Sequence, residues 1–211
     1  MSKPIIMLGA GGHAKVLMEL LEHNDCELMA IVSPVKPSWT PKIYSPTWLK
    51  ADKDVLDFNS NDYLLVNGLG SLPANNNKRS DLHVFFKQQG YEFKTVIAKS
   101  AVVSRYSHLG EGVQVFPGAV VNQCTVGQFT IINSGAIVEH DVQIGENCHI
   151  APGAVLCGDV ELGDQVHVGA GATIIQGVEV GNGAVIGAGS IVTKNVTAFH
   201  TVYPARGLIK G

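Results

Sequence analysis

A histidine stands between two carboxylates in the run Val138-Glu139-His140-Asp141. Imidazole titrates near neutrality, so such a histidine can accept a proton at working pH. A carboxylate on its other ring nitrogen would fix the tautomer and stabilise the imidazolium. Glu139 and Asp141 can each supply that carboxylate. Neighbours along a strand point to opposite faces, but His140 is the third residue of its hexad, close to a corner where that alternation can fail. His149 and His167 are 18 residues apart and so stack in a repeat of that period. A second constellation is Gly9-Ala10-Gly11-Gly12-His13-Ala14-Lys15, in which Gly9, Gly11 and Ala14 match the G-x-G-x-x-G/A spacing. After a strand and before a helix, such a turn brings backbone N–H groups and a helix N-terminus close to a phosphate.

The element that positions the histidines is a repeat of six. Val126, Ile132, Val138, Ile144, Ile150, Leu156, Leu162, Val168, Ile174, Val180, Ile186 and Val192 follow one another without insertion or loss. Helices and ordinary strands have periods of 3.6 and 2, so this regularity is a solenoid signal. Gly127, Gly145, Gly163 and Gly181 recur every 18 residues, as do Gly135, Gly153, Gly171 and Gly189. Three hexads therefore form one coil of a three-sided prism, with glycines at corners where the backbone needs conformations that a Cβ opposes. Successive coils pair as parallel strands about 4.8 Å apart. Ile97, Val103, Leu109, Val115 and Val121 extend the repeat backwards, with a single one-residue slip before Val126.

Residues 1–95 have another texture. Apolar runs at Pro4–Leu8, Leu28–Val32 and Tyr63–Val66 read as strands. Val16, Leu17, Leu20 and Leu21 lie at helical spacing, and residues 76–89 read as a helix with Leu82, Phe85 and Phe86 on one side. Alternation of strand and helix predicts a small Rossmann-like α/β half domain with a parallel sheet. Residues 33–62 carry little periodicity and read as loop with a short helical piece. The expected organisation is an α/β domain over 1–95 and a solenoid domain over 96–211. The second strand ends in Val32-Ser33-Pro34, without the acidic residue that would hold a ribose in a full dinucleotide site. Half of such a fold suits a mononucleotide, such as the UDP part of a sugar nucleotide.

Composition narrows the function further. Of 211 residues, 45% are hydrophobic and only 7% aromatic, as a narrow repetitive core requires. A formal net charge of −3 gives no electrostatic case for nucleic acid. No run of about 18 apolar residues suggests a membrane span, and the N-terminus does not read as a signal peptide. Cys26, Cys124, Cys148 and Cys157 have no metal-type pair spacing and read as reduced thiols of a cytoplasmic protein, with Cys148 and Cys157 as packing residues.

The Gly-Ala-Gly-Gly-His-Ala-Lys turn, together with Val138-Glu139-His140-Asp141 inside hexapeptide repeats, resembles the sialic acid O-acetyltransferase-like sugar acyltransferases. Within them the chain is most similar to the N-acetyltransferases of the UDP-N-acetylbacillosamine pathway. The resemblance spans essentially the whole chain. It implies a left-handed parallel β-helix, a homotrimer with its active site at the subunit interface, and acetyl-CoA as donor with no metal. It also implies transfer to the 4-amino group of a UDP-linked 4-amino-4,6-dideoxy sugar. Carried over by position, His140 falls on the catalytic base and Asp141 on the carboxylate that raises its basicity. His149 and Gly158 fall near the acetyl group, and Ala170 and Ala188 line the pantetheine arm. Gly11, Gly12 and His13 match the nucleotide-sugar turn, Gly68 a further glycine near the nucleotide, and Ser33 the end of the strand that contacts it. Lys194 and Arg206 are candidates for the CoA phosphates.

Three departures stand out. Asp141 is one methylene shorter than the Glu of those relatives, Ser33-Pro34 replaces two aspartates, and Val202 replaces a glycine ahead of Pro204-Ala205-Arg206. The same site could instead serve a sugar hydroxyl or another nucleotide amino sugar. A zinc-dependent carbonic anhydrase on the same prism would need three histidines around the metal. Only His140, His149 and His167 are available, without the close His pair of that family. A non-catalytic solenoid would favour flat Thr-rich faces, which are absent.

Overall fold

The computed structural model describes residues 3–39, 46–71, 73 and 76–205. Arg206 lies outside them. The chain divides into two compact units, Met1–Lys99 and Ser100–Gly211.

In the first unit, β1 (Ile5–Leu8), β2 (Leu28–Val32), β3 (Thr47–Leu49), β4 (Leu64–Asn67) and β5 (Glu92–Phe93) form one parallel sheet in the order β3-β2-β1-β4-β5. The strand order reverses at β1, which places a crevice beyond the carboxyl ends of β1 and its neighbours. Ile5, Ile6, Met7 and Leu8 are all fully buried, as a central parallel strand requires. Helix α1 (Gly12–His23) buries Ala14, Leu17, Leu20 and Leu21. Val16 is 37% exposed, off the stripe where the apolar spacing put it. Helix α2 (Asn76–Gln88) buries Leu82 and Phe86 but leaves Phe85 38% exposed. Its buried side is completed instead by the polar Arg79 and His83. The segment expected to be loop with a short helical piece does hold a short helix, the 3₁₀ turn Asp52–Asp57, and in addition the edge strand β3. A three-residue edge strand is too short to show a period.

The second unit is a parallel β-helix of two-residue strands. One face carries Val102–Val103, Val120–Val121, Ile137–Val138, Val155–Leu156, Thr173–Ile174 and Ile191–Val192. The second runs from His108–Leu109 to Glu179–Val180, and the third from Gln114–Val115 to Thr201–Val202. All twelve repeat aliphatics point inward with at most 4% exposure. A second inner column two residues earlier holds Cys124, Thr130, Ala136, Val142, Cys148 and Ala154, all buried. Burial pushes the Cys124 thiol up to about 11 and that of Cys148 up to about 12, so both stay protonated packing groups. Cys157, half-buried, sits at a corner instead. The slip falls at the corner after Val121: Val120 pairs 18 residues back with Val102, whereas Thr125 pairs 17 back with His108.

The corners repeat every six residues. From 123 to 189 every sixth residue has positive φ: Gln123, Phe129, Gly135, Asp141, Asn147, Gly153, Asp159, Gln165, Gly171, Gly177, Gly183 and Gly189. Only half are glycine, and five of the other six are the Asp, Asn or Gln of a polar turn. Asp and Asn tolerate this region because their short side chains bond locally. The column Gly127, Gly145, Gly163, Gly181 has a different cause from the one its spacing suggested. Its φ angles are ordinary, but a Cβ on Gly145 would lie 2.5 Å from Asp164 Oδ1 and 2.6 Å from the Gly163 carbonyl carbon. Here glycine provides room for the next coil.

The two glycine columns should respond differently to a methyl group. Gly145→Ala overpacks the coil contact and should cost about 1–3 kcal/mol. Gly153→Ala meets nothing within 4 Å and bears only the backbone cost of a left-handed residue, about 1 kcal/mol. Urea unfolding of the two variants checks the order, and equal losses would contradict it.

Candidate active site

His140 and Asp141 occupy the corner between the first face, left at Val138, and the second, entered at Gln143. Asp141 is the left-handed residue of that corner, with φ of 64°. This conformation breaks the strand alternation and turns its carboxylate back onto its neighbour, with His140 Nδ1 and Asp141 Oδ2 2.8 Å apart. Of the two carboxylates left open by sequence, the partner is therefore Asp141. Glu139 instead accepts a bond from Asn122 Nδ2 at 3.2 Å. The Asp141 hydrogen bond raises His140 above its ordinary value; desolvation opposes the rise, and the charges of Asp141, Glu139 and Asp159 add to it.

The other edge of the ring lies against Gly158, one coil further on. A Cβ there would be 2.7 Å from His140 Cε1 and 2.8 Å from Nε2. Only glycine leaves space for the imidazole in this position. Asp159 N–H donates to the His140 carbonyl at 3.0 Å and holds the corner beneath it. The Gly158 N–H has no hydrogen-bond partner among the described residues. The arrangement is a solvent-accessible proton acceptor at Nε2, held in one tautomer by Asp141, with a backbone donor beside it.

His149 is on the third face, 8% exposed, with its Nε2 3.1 Å from Asn133 Nδ2. It packs edge-on against His167, ring centroids 5.0 Å apart. Burial lowers the His167 pKa. Ala170 and Ala188 are exposed and stack at the corner between the third and first faces. Within one chain, His140 and the alanine pair thus lie at opposite edges of the first face and are not brought together. Lys194 lies at the last coil, lining a groove with Thr193, Asn195 and His200. Among the described residues no group of three His, Cys, Asp or Glu side chains is placed to hold a metal ion.

In the first unit, the carboxyl ends of the strands open into a cleft of about 540 Å³ lined by Gly9, Gly11, Ser33, Lys50, Asp52 and Lys78 among others. Gly9 turns the chain at φ of 95°. Gly11 is the N-cap of α1 and provides no side-chain cap, and the first turn carries no acidic residue. The helix start is therefore compatible with an anion. Gly12 and His13 form that first turn, and the His13 side chain lies by Gly70, where an added Cβ would be 3.6 Å away. Gly68 does not line the cleft. It lets α1 approach β4, since a Cβ would meet Ala14 Cβ and Leu8 O at 3.0 Å. Behind it, buried Arg79 donates to the carbonyls of Asn67 (3.1 Å) and Leu69 (2.6 Å), and Asn67 Nδ2 is 2.9 Å from His83 Nε2. Lys50, Asp52 and Lys78 were not singled out by sequence reasoning. Finding the first two required knowing that β3 is a strand.

Comparison with known proteins agrees with this geometry. Residues 123–158 and 159–194 match the bacterial transferase hexapeptide (six repeats) family. No curated protein matches the chain by sequence. Among solved structures, a variant of GDP-perosamine N-acetyl transferase from Caulobacter crescentus, in complex with CoA and GDP-perosamine, is 30% identical with a TM-score of 0.84. The match covers 95% of this chain and 93% of that one. The acetyltransferase domain of PglB from Neisseria gonorrhoeae, in complex with acetyl coenzyme A, gives a TM-score of 0.86 over 99% of this chain and 100% of that one, at 24% identity, a likeness of fold. WeeI from Acinetobacter baumannii gives 0.79 at 25% identity, covering 95% of this chain and 96% of that one. The hexapeptide coils, the α/β unit ahead of them and these matches together place the chain in the hexapeptide-repeat transferases, as a member of the sugar acyltransferase family.

Proposed function

We propose that the protein transfers the acetyl group of acetyl-CoA to the 4-amino group of a nucleotide-linked 4-amino-4,6-dideoxy sugar, with His140 as general base. The observation that carries this reading is the His140–Asp141 pair at 2.8 Å beside Gly158. Asp141 accepts from Nδ1–H, which leaves the Nε2 lone pair free to take a proton. The amine attacks the thioester carbonyl as Nε2 removes its proton, and the new C–N bond forms with negative charge on the carbonyl oxygen. The Gly158 N–H can donate to that oxyanion. Collapse breaks the C–S bond, and the imidazolium returns the proton to the departing thiolate. A thiolate leaves readily, so no acyl-enzyme is needed. In the first unit the diphosphate fits at the start of α1, around Gly11, Gly12 and His13, with the nucleoside toward Ser33. The sequence resemblance implies uridine. The 30% identical relative holds GDP-perosamine, which favours guanosine as a second reading.

The donor site requires a second chain. The outward residues of the first face are Val102, Val120, Ile137, Val155, Thr173 and Ile191, with Val102 62% and Ile191 72% exposed. The second face presents His108, Thr125, Gln143, Glu161 and Glu179, all exposed. An apolar ladder of this kind is suited to burial against another copy, whereas the polar face is suited to water. Packing the first face against a neighbour would bring the His140 corner of one chain to the Ala170–Ala188 corner of the next, with His149 nearby. A homotrimer closes such an arrangement by symmetry.

A thiol-release assay with acetyl-CoA and UDP- or GDP-linked 4-amino-4,6-dideoxy sugars should yield a product one acetyl group heavier on the amine. Acetyl found on a hydroxyl instead would overturn the acceptor assignment. His140→Ala should lower turnover about 10²–10⁴-fold with the fold intact. Asp141→Asn removes the interaction that favours the protonated ring. The acid limb of the kcat/KM profile should therefore move to lower pH and the plateau should fall, and an unmoved limb would exclude Asp141 as the partner. Val155→Glu, on the apolar face, should reduce both the mass in light scattering and turnover. A fully active monomer would contradict the shared site.

A further inference from the structure

The nucleotide-sugar reading of the first-unit cleft, on which this inference rests, leaves one carboxylate there unexplained. In doubly wound sheets an acidic residue at the end of the second strand takes the ribose hydroxyls. Here β2 leads into Ser33-Pro34-Val35, and Ser33 Oγ already donates to the Val35 carbonyl at 2.6 Å. The next strand outward, β3, leads into Lys50-Ala51-Asp52. Asp54 of this turn is engaged, accepting from the Lys50 and Ala51 N–H groups at 3.1 and 2.9 Å. Asp52 has neither a hydrogen bond nor an ion pair among the described residues, and it lines the cleft together with Lys50 and Lys78. Trp48 fixes this exit, since its Nε1–H donates to the Ser33 carbonyl at 2.9 Å and its ring centroid is 5.4 Å from Lys50 Nζ.

Position decides which part of a nucleotide these groups would meet. β3 lies two strand spacings from β1, about 10 Å. With phosphates at the start of α1, a ribose falls near β2 and the base near the exit of β3. We infer that Asp52 and Lys50 read the base, and that the base is guanine. Guanine presents N1–H and the 2-amino group side by side, which suits a bidentate carboxylate acceptor, with O6 next to them for a lysine. Uracil presents a single N–H between two carbonyl oxygens, whose lone pairs would face the carboxylate. The cleft therefore selects against the uridine nucleotide that the family resemblance implies.

Calorimetry on the full chain with GDP, IDP and UDP tests this without requiring turnover. IDP lacks only the 2-amino group of GDP. GDP should bind tightest, IDP roughly ten-fold more weakly, and UDP more weakly still. Asp52→Asn should weaken GDP and bring it close to IDP while leaving the thermal transition in place. The wild-type series alone already tests the base, should that variant fail to fold. UDP binding as tightly as GDP, or an unchanged GDP-to-IDP ratio in Asp52→Asn, would overturn the inference and leave the transferase reading standing. If none of the three bound, the cleft would not be the nucleotide site and the inference would fall with that assignment.

Discussion

A left-handed residue every six positions is the constraint on which the second unit depends. From residue 123 to residue 189 each two-residue strand ends in a corner turned by a residue of positive φ, and twelve such corners follow one another without a break. Glycine meets the requirement at six of them and a side chain at the other six. The geometry of the candidate site follows from this same requirement. At residue 141 the corner is made by aspartate, and the conformation that turns the chain also points its carboxylate at the preceding imidazole. One coil on, the same corner carries Gly158, whose missing side chain leaves room for the ring. Fold and site are two consequences of one backbone rule.

The faces between the corners have divided their roles. Inward positions are uniform because the core is narrow, so the chemistry of each face is set by its outward residues. One face is a β-branched ladder, one is polar and exposed, and one carries the stacked His149 and His167. The candidate donor-site residues lie at both edges of the apolar ladder. A solenoid can separate these features by 18-residue steps because each coil contacts only its neighbours.

Much of this was legible in the sequence. The aliphatic hexads gave the coil, its three sides and the slip near residue 122, because each hexad repeats the same burial. The histidine and its acidic neighbours were visible as a motif, but which carboxylate bonds the ring depended on the φ of residue 141, which no pattern of residue types reports. The glycine columns looked alike, yet one exists for backbone conformation and the other for clearance between coils. In the first unit, β1, β2 and β4 stood out as apolar runs. The edge strand β3 did not, since three half-exposed residues show no period, and with it Lys50 and Asp52 went unnoticed. Val16 and Phe85 fit a helical spacing but are exposed, and on α2 the buried side is completed by the polar Arg79 and His83, which apolar spacing does not reveal.

The central claim is that acetyl transfer occurs between two chains, with His140 of one facing a coenzyme held along the corner of the next. A crystal structure of the protein with CoA tests it most directly. The account predicts the CoA sulfur beside Nε2 of His140 from one chain, with the pantetheine arm passing over Ala170 and Ala188 of its neighbour. A coenzyme bound wholly within one chain, with its sulfur remote from every His140, would contradict it.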